Sequence, residues 1–315
     1  MKLLDKAQII ARLDPELATQ RLEEGFIAFS NGQVQAPPTQ AFQFSANNGD
    51  CCIKSAFVEG SDTFTVKVST GFYDNPGKGL PSNDGLMLVC CAHTGRPLAL
   101  LQDEGWLTAV RTALAGRIVA RLLAPSQVTA IGILGTGLQA RLQLQHLMPV
   151  TACRRVIVWG RGEQQLAAFQ EHANALGFQV TLTHDPQHVA EGANLIVSAT
   201  PSRQPLLRRE WLRPGTHITA VGADAPGKQE LDPALVASAD RLIVDSIRQC
   251  SHYGEVAHAV RAGLIDEQRL GELGHLLQGH IPGRSDEREV TLADLTGVAV
   301  QDAQIARCVL QATPA

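Results

Sequence analysis

The chain has 315 residues, of which 44% are hydrophobic, 18% are charged and 4% are aromatic, and its formal net charge is −4. This length predicts two domains, while the slight negative charge and the low aromatic content argue against a nucleic-acid-binding surface. No apolar run reaches the roughly 18 residues that a transmembrane helix needs, and the start of the chain lacks the features of a signal peptide. Seven cysteines form no CxxC or Cys/His pattern, so we expect reduced thiols, no metal site and a cytoplasmic protein.

The first 120 residues predict an α+β domain with mainly antiparallel strands. Apolar residues at helical spacing indicate a helix over residues 5–30, which Asp5 or Asp14 could cap. Alternating patterns then predict strands, and a longer apolar run predicts a helix from Leu107 to Leu123. The predicted strands are Phe42–Ser45, Ile53–Val58, Thr63–Thr70, Leu86–Cys91 and Leu98–Leu101.

Strands and helices alternate after Ala124-Pro125-Ser126. This alternation is typical of a parallel, doubly wound α/β sheet whose ligand crevice lies beyond the carboxyl ends of the strands. From Val290 the pattern changes, and we expect the tail to return to the first domain. The predicted strands are residues 128–134, Arg155–Trp159, Asn194–Thr200, His217–Gly222 and Arg241–Asp245.

The first of these strands ends in Gly135-x-Gly137-x-x-Ala140. Such a turn can hold a pyrophosphate because its glycines permit a sharp bend and close backbone approach, and the next helix presents free N–H groups. Leu138 and Gln139 lie in the same turn. The alternative is an ordinary β-turn-α corner, but the flanking strand and helix favour dinucleotide binding.

The end of the second strand of this region bears on the choice of dinucleotide. An acid commonly stands there when the ribose 2′-hydroxyl is bound, but this chain has Trp159-Gly160-Arg161-Gly162. Because Arg161 can bind a 2′-phosphate, we expect NADP(H) to be preferred, with NAD(H) possible. Glu163 is expected in the first turn of the following helix. Alternatively, Arg161 is a solvated surface arginine.

Motifs throughout the chain resemble the ornithine cyclodeaminase/mu-crystallin family. The resemblance implies a homodimer with an N-terminal substrate-binding and dimerisation domain over residues 1–122, completed by 290–315, and an NAD(P)-binding Rossmann domain over 123–289. It also implies chemistry at an amino-acid Cα–N bond. The matching stretches include Thr65–Val68, Asn75–Pro81, Thr94–Ala99, Leu107–Ala113, Gly135–Ala140, Ser198–Ser202, Val221–Leu231 and Gly254-Glu255.

The resemblance also implies roles for individual residues. Lys67 is similar to the family's active-site lysine, which can hold a substrate carboxylate or polarise an imine, and Asp224 is similar to a carboxylate that transfers the nitrogen proton. From the residues alone, Lys67 could instead face solvent and Asp224 could simply form a turn. The other cofactor-binding residues implied are Arg111 and Thr112, together with Ser82, Thr200, Val221 and Lys228; Arg111 could instead be a helix-surface arginine.

The chain departs from the family pattern where many members have an arginine that binds the substrate carboxylate, since Thr39-Gln40 stands there. Lys54 could supply the missing cation without the bidentate guanidinium geometry. We include Lys54 and Gly297 with Lys67 among the expected substrate-binding residues.

Four functions stay open. We expect an NADPH-dependent reductase of ketimines or cyclic imino acids, with ornithine cyclodeaminase, which makes proline and ammonia from ornithine, as the alternative. An alanine-dehydrogenase-like activity and a non-catalytic binder of nucleotide and a small ligand are less favoured. Lys67 and Asp224 together argue against a pure binder.

Overall fold

A computed structural model describes residues 1–311 of the chain, apart from the side chain of Pro76. It divides into two compact units. The first unit is Met1–Arg111 together with the chain from Val298 onwards, and the second unit is Thr112–Gly297.

The strands and helices of both units are numbered in chain order. The strands are β1 (Lys2–Asp5), β2 (Val34–Gln35), β3 (Gln40–Phe44), β4 (Gly49–Val58), β5 (Thr63–Phe72), β6 (Asn83–Cys91), β7 (Pro97–Gln102), β8 (Ile131–Leu134), β9 (Arg155–Trp159), β10 (Gln179–Thr183), β11 (Leu195–Ser198), β12 (Arg203–Leu207), β13 (His217–Ala220), β14 (Gln229–Leu231), β15 (Arg241–Val244), β16 (Leu270–Glu272) and β17 (Thr291–Asp294). The helices are α1 (Lys6–Arg12), α2 (Pro15–Ser30), α3 (Trp106–Leu123), α4 (Leu138–His146), α5 (Glu163–Ala175), α6 (Pro186–Gly192), α7 (Pro233–Ser238), α8 (Ile247–Cys250), α9 (Glu255–Arg261), α10 (Leu273–Leu277) and α11 (Ala299–Gln311). None of these helices is both long enough and apolar enough to cross a bilayer.

The first unit contains a seven-stranded sheet in the order β1-β7-β6-β5-β4-β2, with β3 also paired to β4. Every pairing in it is antiparallel except that of β1 with β7. Helix α11 contacts α2 as well as strands β4 and β5. Gly25 permits this close helix approach, since a Cβ there would lie 2.8 Å from Cγ of Gln304.

The segment predicted as one helix over residues 5–30 forms two helices. Asp5 accepts a hydrogen bond from the Gln8 N–H, and Asp14 accepts hydrogen bonds from the Glu16 and Leu17 N–H groups. Pro15 follows Asp14 and begins α2. Because proline favours the first position of a helix and restricts the residue before it, a new helix starts here.

The second unit contains an eight-stranded sheet in the order β10-β9-β8-β11-β13-β17-β15-β16. All of its pairings are parallel, which confirms the predicted doubly wound α/β class. Successive residues of a strand join different hydrophobic clusters, as Ile133 and Leu134 of β8 do. The sheet is therefore buried on both faces, as parallel sheets are.

The divisions between the units differ from the expected domain limits. The first domain was expected to contain residues 1–122 and 290–315. The first unit instead ends at Arg111 and resumes at Val298. Strand β17 explains the second difference, because it pairs with β13 and β15 inside the sheet of the second unit. Only the chain beyond Gly297 returns to the first unit.

Candidate functional site

Lys67 is buried on β5 of the first unit, with 2% of its surface exposed. Its Nζ lies 2.8 Å from Oδ2 of Asp302 on α11. The alternative of a solvent-facing strand lysine is therefore excluded. A buried ammonium needs such a counter-charge, because an unpaired charge in the interior is costly.

Arg111 joins the same cluster and is 6% exposed. Its Nε donates to Oδ1 of Asp302 at 3.2 Å, and its Nη1 donates to Oε1 of Gln301 at 3.0 Å. The Val298 N–H also donates to Oε1 of Gln301 at 3.1 Å. One carboxylate and one amide therefore fix the guanidinium, and Arg111 is not a helix-surface arginine.

The charges in this cluster do not balance. Lys54 lies opposite Lys67 in the β4–β5 register, so two lysines and Arg111 outnumber the two acids that act on this group, Asp302 and Asp103. Burial lowers the pKa of Lys67 to about 8, with Arg111 and Lys54 adding to this effect and Asp302 opposing it. Burial opposes ionisation of Asp302, but Lys67 and Arg111 outweigh it and lower the pKa of that carboxyl. The surplus positive charge suits an anionic ligand.

A second carboxyl group of this unit lies at the start of α3. Asp103 is 1% exposed, and its Oδ2 accepts the Leu107 N–H at 2.8 Å. Burial raises its pKa to about 6. Asp103 therefore holds the first turn of the helix that carries Arg111.

The glycine corner of the second unit, Gly135 to Ala140, has the geometry expected of a phosphate-binding turn. Gly135 has a φ of 110°, and its N–H donates to the Trp159 carbonyl oxygen at 3.0 Å. A Cβ at Gly137 would meet nothing within 4 Å, so the corner is open to a ligand. Leu138, 54% exposed, begins α4, and Ala140 is buried. The corner follows β8, where the strand order reverses, which is where doubly wound sheets bind ligands.

The loop after β9 lies beside this corner. A Cβ at Gly160 would lie 2.8 Å from Cγ2 of Thr136. Arg161 is exposed in this loop, and Glu163 begins α5, as expected. His184 contacts the Gly160 carbonyl oxygen through Nδ1 and Oε1 of Glu163 through Nε2, both at 2.8 Å.

Both partners of His184 are acceptors, so the two contacts together favour the protonated ring. The Glu163 hydrogen bond and the Gly160 carbonyl raise the pKa of His184 accordingly. Glu163 is thus paired with His184 in the loop that carries Arg161.

Asp224 and Lys228, which were predicted separately, form an ion pair. Nζ of Lys228 lies 2.7 Å from Oδ1 of Asp224, whose side chain is 54% exposed. The exposure keeps the carboxylate accessible to a ligand, and the catalytic role of Asp224 stays a prediction. Thr200 and Val221 are buried at the ends of β11 and β13.

Three other predicted residues, Ser82, Thr112 and Gly297, make hydrogen bonds through their backbone groups. The Ser82 carbonyl oxygen accepts the Phe72 N–H at 2.7 Å, and the Thr112 carbonyl oxygen accepts Nε2 of Gln143 at 3.1 Å. Gly297 has a φ of 83°, and its N–H donates to Oδ2 of Asp245 at 2.6 Å. A ligand role for these residues and for Gln139 stays a prediction.

Sequence reasoning missed Asp302, Gln301 and His184. A polar pair between the apolar residues of an amphipathic helix was the available signal for Gln301 and Asp302. His184 carried no such signal, because it lies in a loop after β10, a strand that was not predicted.

Comparison with known proteins agrees with these features. The sequence profile of the ornithine cyclodeaminase/mu-crystallin family matches residues 2–313. A Rhizobium meliloti protein that carries the name of a dehydrogenase is 41% identical over 310 residues, covering 97% of this chain and 94% of its own length. The iminosuccinate reductase of Paracoccus denitrificans is 33% identical over 311 residues, covering 99% of this chain and 96% of its own.

Solved structures share the whole fold. The Δ1-pyrroline-2-carboxylate reductase of Thermococcus litoralis, in complex with NADH and L-proline, has a TM-score of 0.92 and 29% identity, covering 98% of this chain and 96% of its own. An archaeal alanine dehydrogenase dimer with bound NAD has a TM-score of 0.90 and 31% identity, covering 98% of this chain and 94% of its own. The profile match over nearly the whole length and the two bound nicotinamide dinucleotides lead to one conclusion: the chain belongs to the ornithine cyclodeaminase/mu-crystallin family of NAD(P)-dependent enzymes.

Proposed function

We propose that this enzyme reduces a ketimine or a cyclic imino acid to the corresponding amino acid, with NADPH as the preferred reductant. The surplus of positive charge around Lys67 carries the proposal, because it suits the carboxylate of an imino acid. In the balanced reaction, the imine, NADPH and a proton give the amine and NADP⁺.

The proposed roles divide between the two units. Lys67 binds the substrate carboxylate as an ammonium that Asp302 holds in place. Asp224 governs the proton at the substrate nitrogen, and Lys228 holds its carboxylate in an ion pair. The glycine corner takes the pyrophosphate. A bound reduced nicotinamide supplies the hydride for the imine carbon.

The named activities of the relatives support this class of reaction. The Paracoccus relative is named for the reduction of an imino acid, iminosuccinate. The Thermococcus structure is named for the reduction of a cyclic imino acid and contains the corresponding amino acid, L-proline.

A spectrophotometric assay tests the proposal. With Δ1-pyrroline-2-carboxylate as the probe, the protein should consume NADPH and form proline. Ornithine with catalytic NAD⁺, releasing ammonia without net NADH, would instead select the cyclodeaminase. Dinucleotide binding without either reaction, and without oxidation of alanine, would support the non-catalytic binder and overturn the proposal.

The proposed preference for NADPH rests on Arg161 and His184. Two cations beside the corner suit a 2′-phosphate, and Glu163, which would repel it, is paired with His184. Arg161→Ala should raise the Kd of NADPH about tenfold, the effect of one charge-assisted hydrogen bond, and should change that of NADH little.

Arg155→Ala is the matched control, because Arg155 is also exposed but lies at the opposite end of β9. It should leave both affinities unchanged. Equal losses of NADPH and NADH affinity in Arg161→Ala would exclude a 2′-phosphate role.

We also propose a homodimer, as the archaeal relative is described. The aromatic side chains of Phe42 and Phe44 on β3 are 51% and 40% exposed in the single chain, which suits burial against a second copy. Light scattering after gel filtration should give twice the chain mass. A monomer at micromolar concentration would contradict the proposal.

A further inference from the structure

Glu230 ties together the ends of two neighbouring strands of the second unit. Its side chain is fully buried. Its Oε1 accepts the Thr200 N–H at 2.7 Å, and its Oε2 accepts the Gly222 N–H at 3.0 Å. Thr200 follows β11 and Gly222 follows β13, which are adjacent and parallel. One carboxylate therefore fixes both loops where the strands end.

A second buried carboxyl group holds the first in position. Glu255, at the start of α9, accepts the Glu230 N–H through Oε1 at 2.7 Å and the Leu231 N–H through Oε2 at 2.9 Å. It therefore fixes β14, the strand that carries Glu230. Asp294 extends the group by accepting the Val256 N–H at 2.9 Å.

These loops abut the glycine corner. A Cβ at Gly135 would lie 2.8 Å from the Ala199 carbonyl oxygen. This carbonyl belongs to the Ala199–Thr200 peptide group, whose N–H donates to Glu230. A Cβ at Gly222 would lie 2.2 Å from Oε2 of Glu230 and 2.2 Å from the Thr200 carbonyl oxygen. The loops therefore approach both Glu230 and the glycine corner too closely to admit a side chain at Gly135 or Gly222.

We propose that Glu230, held by Glu255, is a positioning residue that sets the dinucleotide affinity of this enzyme by fixing the loops after β11 and β13 against the glycine corner. The proposal rests on the dinucleotide binding proposed above.

Glu230→Gln is the main test, because it keeps the volume but replaces one acceptor by an amide donor that faces an N–H group. The KM and Kd of the dinucleotide should rise about tenfold, as expected when one strong hydrogen bond is lost. The KM of the imino acid should stay within twofold, because the substrate cations lie in the first unit. Glu255→Gln should also raise the KM and Kd of the dinucleotide.

The dinucleotide affinity of the Glu230→Gln/Glu255→Gln double variant separates a positioning role from a purely structural one. Because Glu255 acts through Glu230, the losses of dinucleotide affinity in Glu230→Gln and Glu255→Gln should not add. His217→Asn is the control: His217 is equally buried at the opposite end of β13 and bonds to Oγ1 of Thr291 and of Thr219. It should lower the Tm without changing dinucleotide affinity.

The outcomes separate this inference from the proposed function. If the wild-type protein binds neither NADH nor NADPH, the proposed function and this inference fall together. If the wild type binds a dinucleotide and Glu230→Gln lowers the Tm while its Kd stays within twofold, only the positioning role is overturned. Should Glu230→Gln not fold, Glu255→Gln alone decides in the same way.

Discussion

Lys67 and Asp302 show what a buried ion pair does to one titrating group. Burial lowers the pKa of Lys67 to about 8, and Asp302 limits that decrease. Since the ammonium is the form that binds a carboxylate, kcat/KM for the imino acid should fall as pH rises above about 8. Measurements of kcat/KM from pH 6.5 to 10 would show this decrease as the alkaline limb of the pH profile.

Two variants assign the limb to Lys67. In Lys67→Arg the guanidinium stays charged, so the limb should disappear even if the rate is lower. Asp302→Asn removes the charge that raises the pKa of Lys67, so the limb should move below pH 8. An unchanged limb in Lys67→Arg would contradict the assignment.

Asp224 is expected to act on the reaction and not on dinucleotide binding. Asp224→Asn keeps the shape but cannot take up a proton, so turnover should fall by about a hundredfold or more. The Kd of NADPH, measured by fluorescence, should stay within about twofold. Asp232→Asn, at the N-cap of α7, is the control and should retain turnover. Retained turnover in Asp224→Asn would remove its catalytic role.

We expect His184 to make the proposed dinucleotide preference depend on pH. Its pKa is raised above the ordinary 6.5, and loss of its proton at higher pH releases the negative charge of Glu163. The ratio of NADPH to NADH affinity should therefore decrease severalfold between pH 7 and pH 9, where the 2′-phosphate is already a dianion. Glu163→Gln should abolish most of this decrease. A ratio that is independent of pH in the wild type would contradict the role of His184.

The sequence identified Lys67 and Arg111 through family motifs but not the acid that joins them. Arg111 and Asp302 are 191 positions apart, and no local pattern links residues at such a distance. The alternation of Val66, Lys67 and Val68 was equally compatible with an exposed lysine. Its burial follows from helix α11, which covers β4 and β5.

At the level of elements, long periodic segments were predicted well and short strands were not. Strand β9 and helix α3 were predicted within one residue of their observed limits. Strand β1 has four residues and pairs with β7, so its hydrogen-bond partners lie far along the chain. Strand β17 reads Thr-Leu-Ala-Asp, which lacks the β-branched run that marked the other central strands.

The cap of α2 offers a prediction at this level. Asp14 accepts the Glu16 N–H at 2.9 Å and the Leu17 N–H at 3.4 Å. Asp14→Ala leaves these donors without the side-chain acceptor and should lower the free energy of unfolding by about 1 kcal/mol. Urea denaturation measures the loss. Asp14→Asn keeps an acceptor and should be nearly neutral; a loss as large as that of alanine would show that capping is not the cause.

For the molecule as a whole, we expect the buried acids of the second unit to make the free energy of unfolding depend on pH. Burial raises the pKa of Glu230 to about 7 and that of Asp294 to about 8, and it also raises the pKa of Glu255. An acid whose folded-state pKa is raised contributes stability at low pH, and this contribution is lost as pH rises through the folded-state pKa. The shift of Glu230 alone corresponds to a contribution on the order of 3 kcal/mol.

The free energy of unfolding should therefore be lower at pH 8.5 than at pH 6.5. Buried His217, whose pKa is lowered to about 3 by burial, does not oppose this change, because its contribution is lost only as pH falls below 6.5. Buried Lys67, whose pKa is lowered to about 8, opposes it only at the upper end of this pH range. Urea denaturation at the two pH values checks the direction. Equal or greater stability at pH 8.5 would show that these acids do not dominate the pH dependence.

The first unit is built from both ends of the polypeptide, since α11 follows the whole of the second unit. A ribosome making this chain releases Lys67 and Arg111 long before it adds Asp302. Until then the two cations lack their shared counter-charge, so the earlier-made part cannot complete its native core. The later-made central portion, which is continuous, is free to fold first, and a prematurely terminated product would keep the second unit without a finished first unit.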